Sequence, residues 1–123
     1  MEKDYKVTDA ERAVLEVLWE HDEPVQTAEL LEQMKQRGRD WKRQTLNTLL
    51  SRLDSKEIVK RKRGYVQPAL TEEELLMKQT QGILDNLYGG KLGNFCLALL
   101  GSTKVKEDDI AKLNALIDKM QNM

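Results

Sequence analysis

From Lys42 to Arg52 the sequence reads Lys-Arg-Gln-Thr-Leu-Asn-Thr-Leu-Leu-Ser-Arg, eleven residues without an acidic side chain. Leu46, Leu49, Leu50 and Leu53 recur at i, i+3, i+4 and i+7, which is one apolar stripe of a helix. At about 100° per residue Gln44, Thr48, Ser51 and Ser55 fall on the opposite face. Thr45 and Arg52 flank that face on one side and Asn47 on the other, with Lys42 and Arg43 at the N-terminal end. Amides, hydroxyls and guanidinium groups on one uninterrupted face suit the edges of bases, and cations suit phosphates. The expected base-reading set is Arg43, Gln44, Thr45, Asn47 and Thr48. The expected phosphate set is Lys42 and Arg52, joined by a second run, Lys60, Arg61, Lys62 and Arg63. Such a run can also serve only to keep a hairpin edge soluble.

The overall charge of −1 conceals this block. Residues 1–34 carry three basic and ten acidic side chains, residues 35–63 eleven basic and three acidic, and residues 64–123 six basic and eight acidic. Over short distances the central excess attracts polyanions, because the distant acids are screened beyond about 8 Å at physiological salt.

The elements that must position these residues follow from periodicity and stop signals. Thr8-Asp9-Ala10-Glu11 is a capping box, and the apolar stripe after it predicts a helix to about Glu20. Pro24 breaks the chain, Pro24-Val25-Gln26 is short and extended, and Thr27 is expected to cap a second helix ending at Gly38. The reading helix is third. Ile58-Val59-Lys60-Arg61-Lys62 and Tyr65-Val66-Gln67-Pro68 around Arg63-Gly64 predict a hairpin. Three helices followed by a basic hairpin is the order of a winged helix-turn-helix.

Thr71-Glu72-Glu73-Glu74 is a second capping box, opening a helix from Glu72 to about Tyr88 that Gly89-Gly90 ends. Phe95 to Leu100 is wholly apolar and expected to be a short buried helix. Val105 to Met120 predicts a last amphipathic helix. About 50 residues cannot bury that much apolar surface alone, and a second copy would cover it and set two reading helices in symmetric positions. Leu84, Leu87, Phe95, Leu97, Leu100, Ile110, Leu113 and Ile117 are the expected dimerisation residues. The fold class is therefore mainly α: a winged-helix domain over 1–70 with a small β-hairpin wing, then a helical dimerisation domain over 71–123.

Other function classes find little support. No nucleophile–base pair, metal cluster or phosphate-cradling glycine loop is present, so neither enzymatic activity nor a cofactor or metal is expected. Cys96 alone forms no internal disulfide and reads as a small buried hydrophobe. Without a secretory signal or a long apolar run, a cytoplasmic protein without membrane insertion is expected. Two alternatives remain: a winged-helix module that binds protein, and a regulator that senses an effector at its dimer interface.

The stretch Trp41-Lys42-Arg43-Gln44-Thr45-Leu46-Asn47-Thr48-Leu49-Leu50-Ser51-Arg52-Leu53 resembles the recognition-helix signature of the penicillinase and methicillin-resistance repressors. Val7-Thr8-Asp9-Ala10-Glu11, Val17-Leu18-Trp19 and Tyr65-Val66-Gln67-Pro68 extend the likeness, and it reaches Asp108-Asp109-Ile110. The resemblance implies a homodimeric winged-helix repressor of inverted-repeat operators in double-stranded DNA. It carries helix contacts onto Lys42, Gln44, Thr45, Thr48 and Arg52. Lys42-Arg43-Gln44 depart from the commoner Ser-Pro-Lys, which alters the expected operator. Copper-responsive members carry paired Cys-x-Cys motifs that this chain lacks. Antibiotic-responsive members are inactivated by proteolysis between Asn and Phe, in a circuit with a membrane sensor-protease. Here Asn94-Phe95 offers that pair, whereas alignment back from Asp109-Ile110 sets the scissile bond nearer Ala98-Leu99.

Overall fold

The computed structural model describes residues 5–102 and 106–122. Along the chain run α1 (Asp9–Trp19), β1 (Val25–Gln26), α2 (Thr27–Gln36), α3 (Arg43–Ser55), β2 (Val59–Lys62), β3 (Tyr65–Pro68), α4 (Glu72–Tyr88), α5 (Leu92–Ser102) and α6 (Glu107–Gln121). They form two compact units, Met1–Gly82 and Ile83–Met123. The architecture is mainly α, a winged helix followed by a helical C-terminal part, as the order of elements implies.

The capping box of α1 forms in part: Thr8 caps the helix, but the Glu11 carboxylate meets the Thr8 hydroxyl and not the Thr8 backbone N–H. The Glu11 backbone N–H donates to Thr8 Oγ1 at 3.1 Å, and the Thr8 hydroxyl donates to Glu11 Oε1 at 3.1 Å. The apolar stripe of α1 then delivers Val14, Leu15, Val17 and Leu18 to the core, where they meet Leu30 and Met34 of α2 and Leu46, Leu50 and Leu53 of α3. Ile58, Val59 and Val66 close the core from the sheet side, and Leu75 from α4. Trp19 packs against it half-buried, its indole N–H donating to the Leu70 carbonyl at 3.0 Å. That bond satisfies the ring's single polar group beside the core.

The sheet has three strands in the order β1-β3-β2, all antiparallel. The hairpin pairs Val59 with Pro68 and Lys62 with Tyr65. Its two turn residues, Arg63 and Gly64, both have positive φ, 52° and 81°. That is the two-residue turn whose twist matches paired strands. Val25 and Gln26, read from sequence only as extended, pair with Val66 and Tyr65. Two residues are too few to carry an alternation signal.

The expected N-cap of α2 is corrected. Gln26 occupies that position without a side-chain cap, and Thr27 is the first helical residue. The Thr27 backbone N–H and hydroxyl instead donate to the Gly64 carbonyl, at 2.9 and 3.1 Å. The start of α2 is thereby tied to the hairpin turn, and pairing of β1 with β3 brings the two together.

Both α2 and α3 end in the same backbone motif. At α2, Gly38 has φ 88° and the Arg39 N–H reaches back to the Met34 carbonyl at 2.9 Å. At α3, Glu57 takes the left-handed position with φ 61°, and the Ile58 N–H donates to the Leu53 carbonyl at 2.9 Å. Leu53 and Ile58 are both fully buried, the apolar contact that accompanies this cap.

Helix α4 starts at Glu72, and its capping box is complete. The Glu74 N–H donates to Thr71 Oγ1 at 3.1 Å, and the Thr71 N–H donates to Glu74 Oε1 at 2.9 Å. The Thr71 backbone and side-chain hydrogen bonds, with Lys78 adding a smaller attraction, hold the Glu74 carboxyl below its ordinary value. The first turns of α4 belong to the N-terminal unit, where Gln79 also donates to the Tyr5 carbonyl at 2.9 Å.

In the C-terminal unit, Gly89 and Gly90 take positive φ after α4, and the Tyr88 and Phe95 rings meet edge to face at 5.4 Å. The expected short helix is longer, Leu92–Ser102. It is also less buried than its composition suggests: Phe95 and Cys96 are half-buried, but Leu97 is 69% exposed. Val105, expected to open the last helix, lies outside the described residues, as do the side chains of Leu87, Leu99 and Leu100.

Candidate nucleic-acid interface

Helix α3 buries Leu46, Leu49, Leu50 and Leu53 and turns its other face to solvent. Arg43, Gln44, Asn47, Thr48, Ser51, Arg52 and Ser55 line an open groove along that face. Among them Asn47 is half-buried and the rest are exposed, as are Lys42 and Thr45. Every helical residue expected to read bases is thus on the solvent side of α3, and the groove brings Arg43, Gln44, Asn47 and Thr48 together. Thr45 is exposed but outside the groove lining. Lys42 is the N-cap residue of α3 and makes no side-chain cap hydrogen bond.

The groups on this face differ in how committed they are. Among the described residues, no hydrogen bond or ion pair engages the side chains of Lys42, Arg43, Arg52, Lys60, Lys62 or Arg63. Three other cations of the basic block have partners. Arg37 pairs with Glu20, Lys56 with Glu11, and the Arg39 guanidinium lies 5.5 Å from the centroid of the Trp41 ring. Only Arg37 and Lys56 of the block are thereby paired with carboxylates among the described residues, and the six cations named above on α3 and the hairpin are left available to an outside anion. The Thr48 hydroxyl donates to the Gln44 carbonyl at 3.0 Å. Its oxygen lone pairs and methyl group then face outward as acceptor and apolar contact.

The four cations of the hairpin do not act as one run. Side chains alternate along a strand, so Arg61 shares a face with buried Val59, while Lys60 and Lys62 point the other way. Arg61 lies over α3: its Nη2 donates to Asn47 Oδ1 at 3.2 Å and its Nη1 to Ser51 Oγ at 3.4 Å. Sequence reasoning placed Arg61 with its neighbours because a charge run carries no mark of strand facing when the hydrophobic partner is a single valine.

Glu11 and Lys56 were also missed. Glu11 is the only charged residue buried among the described residues, 1% exposed, and Lys56 Nζ donates to its Oε2 at 3.1 Å. Its place in a capping box explained Glu11 fully at the sequence level, so nothing signalled a second partner 45 residues away. Among the described residues, no group of three or more His, Cys, Asp and Glu side chains could hold a metal ion. No described helix is long and apolar enough to cross a membrane.

A three-helix core, a three-stranded sheet with a hairpin wing, and a third helix with one face open to solvent define a winged helix-turn-helix protein. The chain belongs to the penicillinase repressor family, whose model matches residues 7–119. It is 25% identical to the penicillinase repressor of Bacillus licheniformis over 126 residues, covering 99% of this chain and 97% of that protein. An uncharacterised 16.5 kDa protein of Latilactobacillus sakei is 28% identical over 116 residues, 91% of this chain and 78% of the relative. The methicillin resistance regulatory protein MecI of Mammaliicoccus sciuri is 25% identical over 121 residues, 95% of this chain and 97% of the relative.

Proposed function

We propose that the chain is a homodimeric transcriptional repressor that binds an inverted-repeat operator through α3 and the basic hairpin. An inducing signal relieves the repression. The observation that carries this reading is the solvent-facing side of α3, free of acids from Lys42 to Arg52 and flanked by cations that the protein itself does not neutralise. Arg43, Gln44, Thr45, Asn47 and Thr48 are assigned to bases, and Lys42, Arg52, Lys60, Lys62 and Arg63 to phosphates.

Dimerisation is assigned to the helical part beyond the wing. Leu97, Ile110, Leu113 and Ile117 are exposed in the single chain, at 69, 44, 42 and 43%. Apolar surface of this kind, rimmed by polar residues, marks an interaction site, and a second copy offers the same surface in return. Phe95 and Leu84 are half-buried. For induction by proteolysis, Asn94 and Ala98 are exposed, but both lie within α5. Proteases nick exposed loops in preference to helices, so a cut at either expected bond requires α5 to open locally first.

The test is a salt titration of fluorescence anisotropy with a duplex enriched by the protein from a randomised library. Log affinity should fall linearly with log salt at a slope of about −0.9 per neutralised phosphate. Gln44→Ala and Thr48→Ala should relax sequence preference by roughly 1–3 kcal/mol where a good base contact is lost. Failure to enrich any sequence, or binding insensitive to salt, would remove the reading.

A further inference from the structure

We propose that Arg61 is a positioning residue: its guanidinium fixes the Asn47 carboxamide so that α3 presents a hydrogen-bond donor there, and the wing thereby sets the base preference of the helix. The inference rests on the reading of α3 as a DNA-binding helix and concerns which chemical edge one of its residues can recognise.

Asn47 and Ser51 are four residues apart, on the edge of α3 that faces β2. Arg61 meets both, at 3.2 Å to Asn47 Oδ1 and 3.4 Å to Ser51 Oγ, from the core-facing side of the strand. A guanidinium is only a donor. The carboxamide oxygen must therefore turn toward it and the amide NH2 must turn away. A free asparagine could rotate and read adenine bidentately, using its oxygen and its nitrogen together. With one lone pair of the oxygen taken by Arg61, the carboxamide plane is set by the guanidinium and not by a base, and a bidentate contact would have to share that oxygen. The NH2 group needs no such sharing: it donates to an acceptor, which in the major groove means N7 or O6 of guanine, N7 of adenine or O4 of thymine.

The same geometry separates Arg61 from its neighbours. Lys60, Lys62 and Arg63 have no partner among the described residues, whereas Arg61 spends two of its N–H groups on α3. The strand side it occupies is set by Val59 and by its cross-strand partner Val66, both buried. Arginine is required because its planar fork spans two acceptors at fixed spacing, which a lysine ammonium on a flexible stem does not reproduce.

Charge-conserving substitution tests this. Arg61→Lys keeps the charge and removes the fork. On a duplex enriched by the wild-type protein from a randomised library, Arg61→Lys should leave the salt slope and the affinity for unrelated duplex unchanged. It should lower discrimination at one base position roughly tenfold, the scale of a base contact. In the Asn47→Ala background it should have no further effect, because the group it positions is gone. A second readout needs no DNA: in the free protein, the side-chain 15N–H2 resonances of Asn47 should shift in Arg61→Lys, while those of Gln44 should not. Wild-type discrimination in Arg61→Lys, a salt slope reduced by about one as for a lost phosphate contact, or unmoved Asn47 resonances would each overturn the inference. If the wild type enriches no sequence, the DNA-binding reading fails by itself and the Asn47 resonances still decide whether Arg61 holds the amide.

Discussion

The Lys56 ammonium donates to the Glu11 carboxylate at 3.1 Å and to the Lys6 carbonyl at 2.6 Å. The exit of α3 is thus tied to the first turn of α1, at the one charged side chain buried among the described residues. Removing one partner of such a pair leaves a charge without compensation, which costs more than removing both. Lys56 keeps 24% of its side chain exposed, so water offsets part of the loss. Lys56→Met is expected to lower stability by about 2 kcal/mol. Adding Glu11→Leu should recover much of that. Urea denaturation of the three proteins checks this; a double variant less stable than Lys56→Met would show that Glu11 is held by Thr8 alone.

The two left-handed helix ends make opposite predictions. Gly38 adopts φ 88° without a side chain to clash, whereas Glu57 adopts φ 61° with one. Glu57→Gly should raise stability by roughly 0.5–1 kcal/mol and Gly38→Ala should lower it by about 1 kcal/mol. Thermal unfolding with midpoints moved in the same direction for both would contradict the assignment.

These two ends also show what was legible in the sequence. Gly38 announced its helix stop, as did Gly89-Gly90, because glycine is the residue that the position favours. Glu57 gave no such sign, since there the buried Leu53 and Ile58 pair imposes the turn on a residue that would not choose it. The solvent face of α3 was legible because an apolar stripe at helical spacing defines its complement. Thr27, Arg61 and the Glu11–Lys56 pair were not, because each depends on a partner that only sheet pairing or core packing brings near. Gly64 stands 37 residues from Thr27, and Asn47 stands 14 from Arg61.

The capping box of α4 carries a pH signature. Glu74 is held below its ordinary value by the Thr71 hydrogen bonds. A carboxyl depressed in the folded state stabilises it above the unfolded pKa, and the contribution is lost as pH falls through the folded value. Thr71→Ala should therefore be less stable than wild type at neutral pH, with the gap narrowing as the solution is acidified past the carboxylate range. Denaturation midpoints of both proteins from neutral to strongly acidic pH test the sign. A gap that widened on acidification would contradict it.

Arg63 sits in a turn that disfavours it. Its φ of 52° beside Gly64 is the conformation for which asparagine is the better first residue. Arg63→Asn should stabilise the hairpin by several tenths of a kcal/mol, about the scale of a turn preference. If Arg63 contacts phosphate, the same substitution should reduce the salt slope of DNA binding by about one. A gain in stability with an unchanged slope would remove Arg63 from the phosphate set and leave the remaining assignments intact.

The proposed dimer has a test that does not confuse association with folding. Leu97 is 69% exposed in the single chain, so a charge at that position meets water in the monomer and should not unfold it. In a dimer the same position would be covered, and an unpaired buried charge costs several kcal/mol. Leu97→Asp is therefore expected to leave the helical circular dichroism spectrum of the protein intact while shifting sedimentation at micromolar concentration from dimer to monomer. Affinity for a full inverted repeat should fall toward that of a half-site, because two reading helices would no longer act as one linked ligand. Half-site affinity itself should be unchanged, since α3 and the hairpin lie in the N-terminal unit. A wild-type protein that sediments as a monomer, or a Leu97→Asp variant that remains dimeric, would move the pairing surface elsewhere.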